Sequence, residues 1–173
     1  FLLVKNIVLT KDITLIGSQS GIGGFFHGPL YLYLLVPFFL LGKGNPFFYT
    51  TFFILIPLLT VLTGFFVGQK LYSAPFGLIL AFFLMMSPRI WIFTPSTQGL
   101  NLIPLLYLLI VYFVVKFIRG NRKAIIFAVF LAGLTFQFEI ATALILLPIL
   151  VLFYAFFGGA RALKDYKTIL LCI

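Results

Sequence analysis

Long stretches of this sequence contain no charged residue, and the clearest is PFFYTTFFILIPLLTVLTGFFVG, residues 46–68. A helix needs about 20 consecutive apolar residues to cross the hydrocarbon core of a bilayer, and this stretch supplies them. Of the 173 residues, 63% are hydrophobic and only 9% are charged, against roughly 25% charged in soluble domains. Because a soluble core of this size cannot enclose so much apolar surface, the sequence predicts an integral membrane protein.

Further apolar stretches predict an all-α bundle of about five transmembrane helices. The predicted spans are residues 46–68, 71–87, 100–118, 124–138 and 140–157, and residues 168–173 begin another. The last two full spans are divided at Glu139. One helix across both would be too long for a bilayer and would place a carboxylate near its centre. The chain, residues 1–173, is predicted as a single transmembrane domain.

Residues 29–42 are apolar but short, and they contain Pro37. If this segment crossed the bilayer, every later loop would change sides and the basic loops would lie outside. We therefore predict an interfacial or re-entrant helix. Pro29 suits its first turn, where a missing N–H costs nothing, and Gly42 suits its end.

The lysines and arginines predict the orientation. The two strongly basic loops, KFIRGNRK at residues 116–123 and RALKDYK at 161–167, are expected in the cytoplasm. Two predicted spans, residues 71–87 and 100–118, separate Lys70 from the first basic loop, so Lys70 is expected on the same side. The opposite, extracytoplasmic side receives the segment up to His27, the loop after residue 87 and the turn at Glu139. We expect a multi-pass protein of the cell membrane.

Charge and cysteine content exclude other classes. The net charge of +9 resides in short loops rather than in a continuous basic stripe, so nucleic acid is not an expected partner. Cys172 is the only cysteine, and it can form neither an internal disulfide nor a metal motif. The chain begins at Phe1 and stops inside the apolar TILLCI, so we expect a fragment of a longer protein.

The stretch IGSQSGIGGFFHGPLYLYLL, residues 16–35, brings the only histidine, His27, to the edge of an apolar segment. By the predicted orientation, three polar features share one membrane face: the loop with His27, the loop with Arg89, and the turn with Gln137 and Glu139. Polar groups buried at a membrane surface are costly, so their convergence indicates a site.

Three stretches together resemble polytopic glycosyltransferases of the GT-C fold. LIGSQSGIGGFFHGPLYLYLLVPFFLLGKGNPFF resembles the segment that follows their first extracytoplasmic loop. SPRIWIFTPSTQGLNLIPLL is similar to their second such loop, and LAGLTFQFEIATALILLP to a later hairpin. The branch is similar to dolichyl-phosphate-mannose protein mannosyltransferases and to bacterial Rgt-type glycosyltransferases. The resemblance covers most of residues 15–157.

The resemblance implies a transferase that moves a sugar from a polyprenyl-phosphate-linked donor to an extracytoplasmic lipid, glycan or protein acceptor. It also implies that residues 1–28 end the first extracytoplasmic loop, with the main acidic residue upstream of Phe1. Two features depart from the family. Glu139 stands where a histidine is expected, and the second loop has no carboxylate where metal-assisted members carry acids. We therefore expect no cofactor and a metal-independent reaction.

Glu139 and His27 are the candidate catalytic residues. Glu139 is the only acid among the apolar segments, and such a residue indicates function by default; the alternative is a hydrated turn without a role. His27 could bind the donor phosphate or polarise the acceptor, and it could equally be an interfacial histidine bonded to water.

Arg89, Gln137, Gln98 and Asn101 are the candidate substrate-binding residues. A guanidinium matches a lipid phosphate with two parallel hydrogen bonds, although Arg89 at a helix end could also be a membrane anchor. Gln137 could bind sugar hydroxyls or cap a helix. Gln98 and Asn101 belong to the loop that resembles the family's second extracytoplasmic loop.

A transporter or flippase for a lipid-linked or small substrate is the rival interpretation. Such proteins carry internal repeats and ionisable residues near the middle of the membrane. The sequence shows neither feature, since its charged residues lie at the ends of the apolar segments.

Overall fold

A computed structural model describes residues 2–11, 13–19, 24, 26–92 and 99–158. This part of the chain is helical and contains no strand, which confirms the predicted all-α class. The α-helices are α1 (Leu2–Thr10), α2 (Leu30–Leu41), α3 (Pro46–Leu71), α4 (Ala74–Met86), α5 (Pro88–Ile92), α6 (Ile103–Ile118), α7 (Ala124–Phe138) and α8 (Ile140–Gly158). A 3₁₀ helix, Gly99–Leu102, leads directly into α6.

Three helical segments in the described part are long and apolar enough to cross a membrane: Pro46–Leu71, Gly99–Ile118 and Ile140–Phe157. The apolar helices α2, α4 and α7 are shorter, with 12, 13 and 15 residues. At 1.5 Å per residue, α7 is about 22 Å long, less than the ~30 Å hydrocarbon core. The chain thus has the apolar helices of a membrane protein.

Helices α3 and α4 form a close antiparallel pair. The Ser73 side chain accepts a hydrogen bond from Phe76 N over 3.4 Å and begins α4. A Cβ atom on Gly68 would lie 2.7 Å from the Cα of Gly77, and one on Gly64 would overlap the Leu84 side chain. Small residues allow helix backbones to approach closely in membranes, where apolar side chains alone gain little from association.

Helix α6 packs against both α3 and α7, and α8 packs on α7. Ala128 and Ala132 on α7 are fully buried, so this helix nests closely among its neighbours. The aromatic rings of Phe113 and Phe127 stack at 5.2 Å between α6 and α7. Phe117 and Tyr154 stack at 5.8 Å between α6 and α8.

The bundle has two chemically different ends. At one end, Arg119 Nη2 donates to the Leu71 carbonyl oxygen, which brings the last turns of α3 and α6 together. We call this the basic end, and it is defined by exposed Lys70, Arg119, Arg122 and Lys123. Helix α7 begins there, immediately after Lys123, and ends at Phe138. The region around Phe138 is called the loop end below.

Helix α2 folds back along the first half of α3. A Cβ on Gly42 would overlap Phe48, while Tyr31, at the other end of α2, lies 6.1 Å from the Phe53 ring. The direction of these two contacts shows that α2 and α3 are antiparallel. Lys43 lies in their turn, at the opposite end of the 26-residue α3 from Lys70. The interfacial or re-entrant position of α2 stays a prediction.

Candidate functional site

The segment before α2 is held in place by backbone hydrogen bonds on both sides of His27. The His27 amide donates to the Ser18 carbonyl over 2.9 Å, and the Gly17 amide donates to the His27 carbonyl over 3.0 Å. Gln19 and Phe26 form an isolated antiparallel bridge next to these bonds. Residues 17–19 therefore pair with residues 26–27 and hold the backbone of His27 in place.

Gly28 docks this segment on the end of α7. Its amide donates to the Gln137 carbonyl over 3.0 Å. A Cβ atom at position 28 would overlap Oε1 of Gln137 and lie 3.0 Å from the Gln137 Cα, so any larger residue would force the glutamine side chain or the loop to move. His27 and Gln137 were separate sequence candidates, and the structure brings their backbones to the same place.

Glu139 separates α7 from α8 and has extended backbone angles, φ −153° and ψ 116°. Its amide donates to the Thr135 carbonyl over 2.8 Å and so ends α7. The Thr142 hydroxyl, in the first turn of α8, lies 3.2 Å from Glu139 Oε2 and donates to it. A carboxylate at a helix N-terminus is stabilised by the helix dipole. Glu139 therefore has a structural role at the turn, and its half-buried carboxylate keeps acceptor capacity beyond the Thr142 bond.

His27 has one unsatisfied ring nitrogen. Nδ1 is buried and has no hydrogen-bond partner among the described residues, although the side chain as a whole is only partly buried. Leaving a buried polar atom unpaired costs about 1–3 kcal/mol, so such atoms in native proteins usually meet water or a ligand. A neutral imidazole nitrogen can donate or accept, according to its tautomer.

The 3₁₀ helix reaches the same end of the bundle. A Cβ on Gly99 would lie 3.1 Å from Phe138 and 3.5 Å from the Tyr31 ring. Asn101 is only 7% exposed and is enclosed by protein. The 3₁₀ helix, the start of α2 and the end of α7 therefore meet around Phe138.

Of the remaining sequence candidates, Arg89 lies on α5 and Gln98 is not described. Gln98 falls within residues 93–98, outside the described part of the chain. Arg89 is exposed on α5, the short helix that follows α4. Leu84, near the end of α4, lies against Gly64 in the middle of α3. The structure thus joins His27, Gln137 and Glu139 around the end of α7, while Arg89 lies on a separate short helix.

Thr142 is the contact that sequence reasoning missed as a site residue. Its spacing of three from Glu139, across a helix start, is the signal that could have indicated it. Among the described residues, no group of three or more His, Cys, Asp and Glu could hold a metal ion.

Comparison of the chain with protein-family models, with curated proteins and with solved structures finds no match. The resemblance to GT-C glycosyltransferases stays a prediction.

Proposed function

We propose that the chain is part of a multi-pass cell-membrane glycosyltransferase with a GT-C-like bundle of five spans. It would transfer a sugar from a polyprenyl-phosphate-linked donor to an extracytoplasmic lipid, glycan or protein acceptor. The active site would lie at the loop end, and the lipid donor would enter it sideways from the bilayer.

The observation that supports this proposal is the docking of the His27–Gly28 segment on Gln137, next to Glu139. The Gly28–Gln137 hydrogen bond places an imidazole and a carboxylate at the same end of an apolar bundle. Ionisable groups beside apolar helices are stable where they meet water, each other or a substrate. The unpaired Nδ1 of His27 agrees with a polar partner, water or substrate, at this place.

The proposed reaction needs a general base and stabilisation of the leaving phosphate. The acceptor hydroxyl would lose its proton to a carboxylate as its oxygen bonds to the anomeric carbon. The bond between that carbon and the phosphate oxygen would break, and polyprenyl phosphate would leave with the bonding electrons. Glu139 can accept the proton or a hydrogen bond from the acceptor, and the His27 imidazole would donate a hydrogen bond to the phosphate. Gln137 would bind sugar hydroxyls through its side-chain amide.

The direct test is an assay of the full-length protein in liposomes. Polyprenyl-phosphate hexoses and pentoses with labelled sugar would be supplied together with membrane lipid, glycan and peptide acceptors. The proposal expects label in an acceptor and an equal amount of free polyprenyl phosphate. If no sugar donor is cleaved under any of these combinations, the proposal is wrong.

A transporter or flippase is the second candidate. Pro57 and Pro148 lie inside two of the long apolar helices, α3 and α8, and proline removes a backbone donor where it interrupts a helix. Transporter binding sites commonly use helices that are broken at such positions, whereas α3 and α8 are continuous. The same liposome assay separates the two functions, because a transporter moves its substrate between compartments and leaves the sugar–phosphate bond intact.

A further inference from the structure

An apolar groove runs along the surface between α4 and α6, with α3 as its floor. Its volume is about 350 Å³, within the roughly 300–1,000 Å³ of small-molecule sites. Gly68 of α3 lies in the floor. Leu80 and Leu84 of α4 form one wall, and the other wall is formed by three residues of α6: Leu108, Val111 and Val115. Val111 is 53% exposed, so the groove opens to the surface of the bundle, where lipid would lie.

The groove ends at the basic end of the bundle. Leu71 and Tyr72 line that end. The guanidinium of Arg119 lies over the Tyr72 ring at 5.6 Å, and its Nη2 donates to the Leu71 carbonyl. A guanidinium has five N–H donors, so the bond to Leu71 leaves others able to bind an anion. Arg119 follows Val115 by one helical turn and is on the groove side of α6.

The length and lining of the groove suit a hydrocarbon chain as its occupant. Residues 104–115 of α6 follow its wall, a rise of about 16 Å. An extended acyl chain can lie along this length against apolar side chains only, and the charged groups stand at one end of the groove.

The geometry points to a binding site for an anionic phospholipid, with one acyl chain in the groove and the phosphate at Arg119. The other charges at this end would also attract an anion, since Lys70 and Arg122 are exposed there. Glu139, the only acidic residue that the structure describes, is at the opposite end of the bundle. Basic pockets between transmembrane helices are suited to anionic headgroups. The arrangement also places the phosphate at the helix ends and the acyl chain along the apolar helix walls. This site is separate from the proposed glycosyltransferase site.

The test is lipid binding by the purified full-length protein, measured by native mass spectrometry and by thermal unfolding in detergent. Phosphatidylglycerol is the anionic probe, and phosphatidylcholine with the same acyl chains is the zwitterionic one. We expect phosphatidylglycerol to bind at least tenfold more tightly and to raise the unfolding temperature. Arg119→Gln should weaken its binding at least tenfold, whereas Arg122→Gln, which removes the same charge outside the groove, should change it less than twofold.

A second pair of variants tests the acyl-chain groove. Leu80→Trp fills the groove, and Leu78→Trp places the same side chain on α4 outside it, where Leu78 is 63% exposed. Only Leu80→Trp should abolish retention of the lipid, and unfolding without lipid shows whether each variant is folded. Equal loss in Arg119→Gln and Arg122→Gln would show diffuse surface attraction and overturn the site. Full binding by folded Leu80→Trp would do so too.

Discussion

The amide of Gly28 donates a 3.0 Å hydrogen bond to the carbonyl oxygen of Gln137, more than a hundred residues later in the chain. The carbonyls of the last turn of a helix have no partner within that helix. Gly28 therefore satisfies one such group at the end of α7 and fixes His27 beside it. This single contact links the segment before α2 to the turn at Glu139.

Gly28→Ala should disrupt that link. The added Cβ would overlap Gln137 Oε1, so either the glutamine or the loop must move. Overpacking of this kind costs about 1–3 kcal/mol. We expect a lower unfolding temperature in detergent and a loss of any activity that depends on His27.

Gly133→Ala is the matched control for Gly28→Ala. Gly133 lies in α7 itself, and a Cβ there meets nothing within 4 Å. Alanine favours a helix interior over glycine by up to about 1 kcal/mol, so this variant should be neutral or slightly more stable. If Gly28→Ala unfolds at the same temperature as Gly133→Ala, the docking contact is unimportant.

Close packing of α3 and α4 gives a second prediction. Gly68→Leu should separate these helices, because its Cβ would lie 2.7 Å from the backbone of Gly77. The substitution cannot be absorbed by a rotamer change, so we expect destabilisation of at least about 2 kcal/mol. Thermal unfolding in detergent measures it, with Leu62→Ala on an exposed face of α3 as the control. Equal unfolding temperatures for the two variants would contradict the close pairing.

Topology is the third prediction. We expect cysteines at positions 27, 43, 89 and 139 to react with an impermeant thiol reagent from outside, in a Cys172→Ser background. Cysteines at 122 and 164 should react only after the membrane is opened. The reason is the separation of Lys43 from Lys70 along α3 and the basic end at Arg119. Labelling of position 122 from outside, or of position 43 only from inside, would contradict this orientation.

Sequence patterns predicted the helical class because a long apolar segment in a bilayer must satisfy its own backbone hydrogen bonds, and a helix does so within the segment. The turn at Glu139 was predictable for the same reason, since a carboxylate is costly inside a long apolar helix. The docking of Gly28 on Gln137 was not predictable in detail, because a backbone hydrogen bond leaves no side-chain pattern in the sequence. The groove between α4 and α6 was also missed, since apolar side chains facing a cavity, a core or lipid look alike in sequence.

The chemistry of the loop end gives the last prediction. Glu139→Gln keeps the shape of the side chain and its ability to accept from Thr142, but it removes the negative charge. In the full-length protein it should slow sugar transfer from a polyprenyl-phosphate donor at least about tenfold, equivalent to ~1.4 kcal/mol of transition-state stabilisation. His27→Ala should act in the same direction, because it removes the imidazole that is proposed to bind the phosphate. Two residues that act as a unit give a double variant whose loss is smaller than the product of the single losses.

Thr142→Val is the control. It removes the hydrogen bond to Glu139 but keeps the negative charge, so it should reduce the rate less than Glu139→Gln does. Full activity in both single variants would show that His27 and Glu139 are structural, even if the protein transfers sugar.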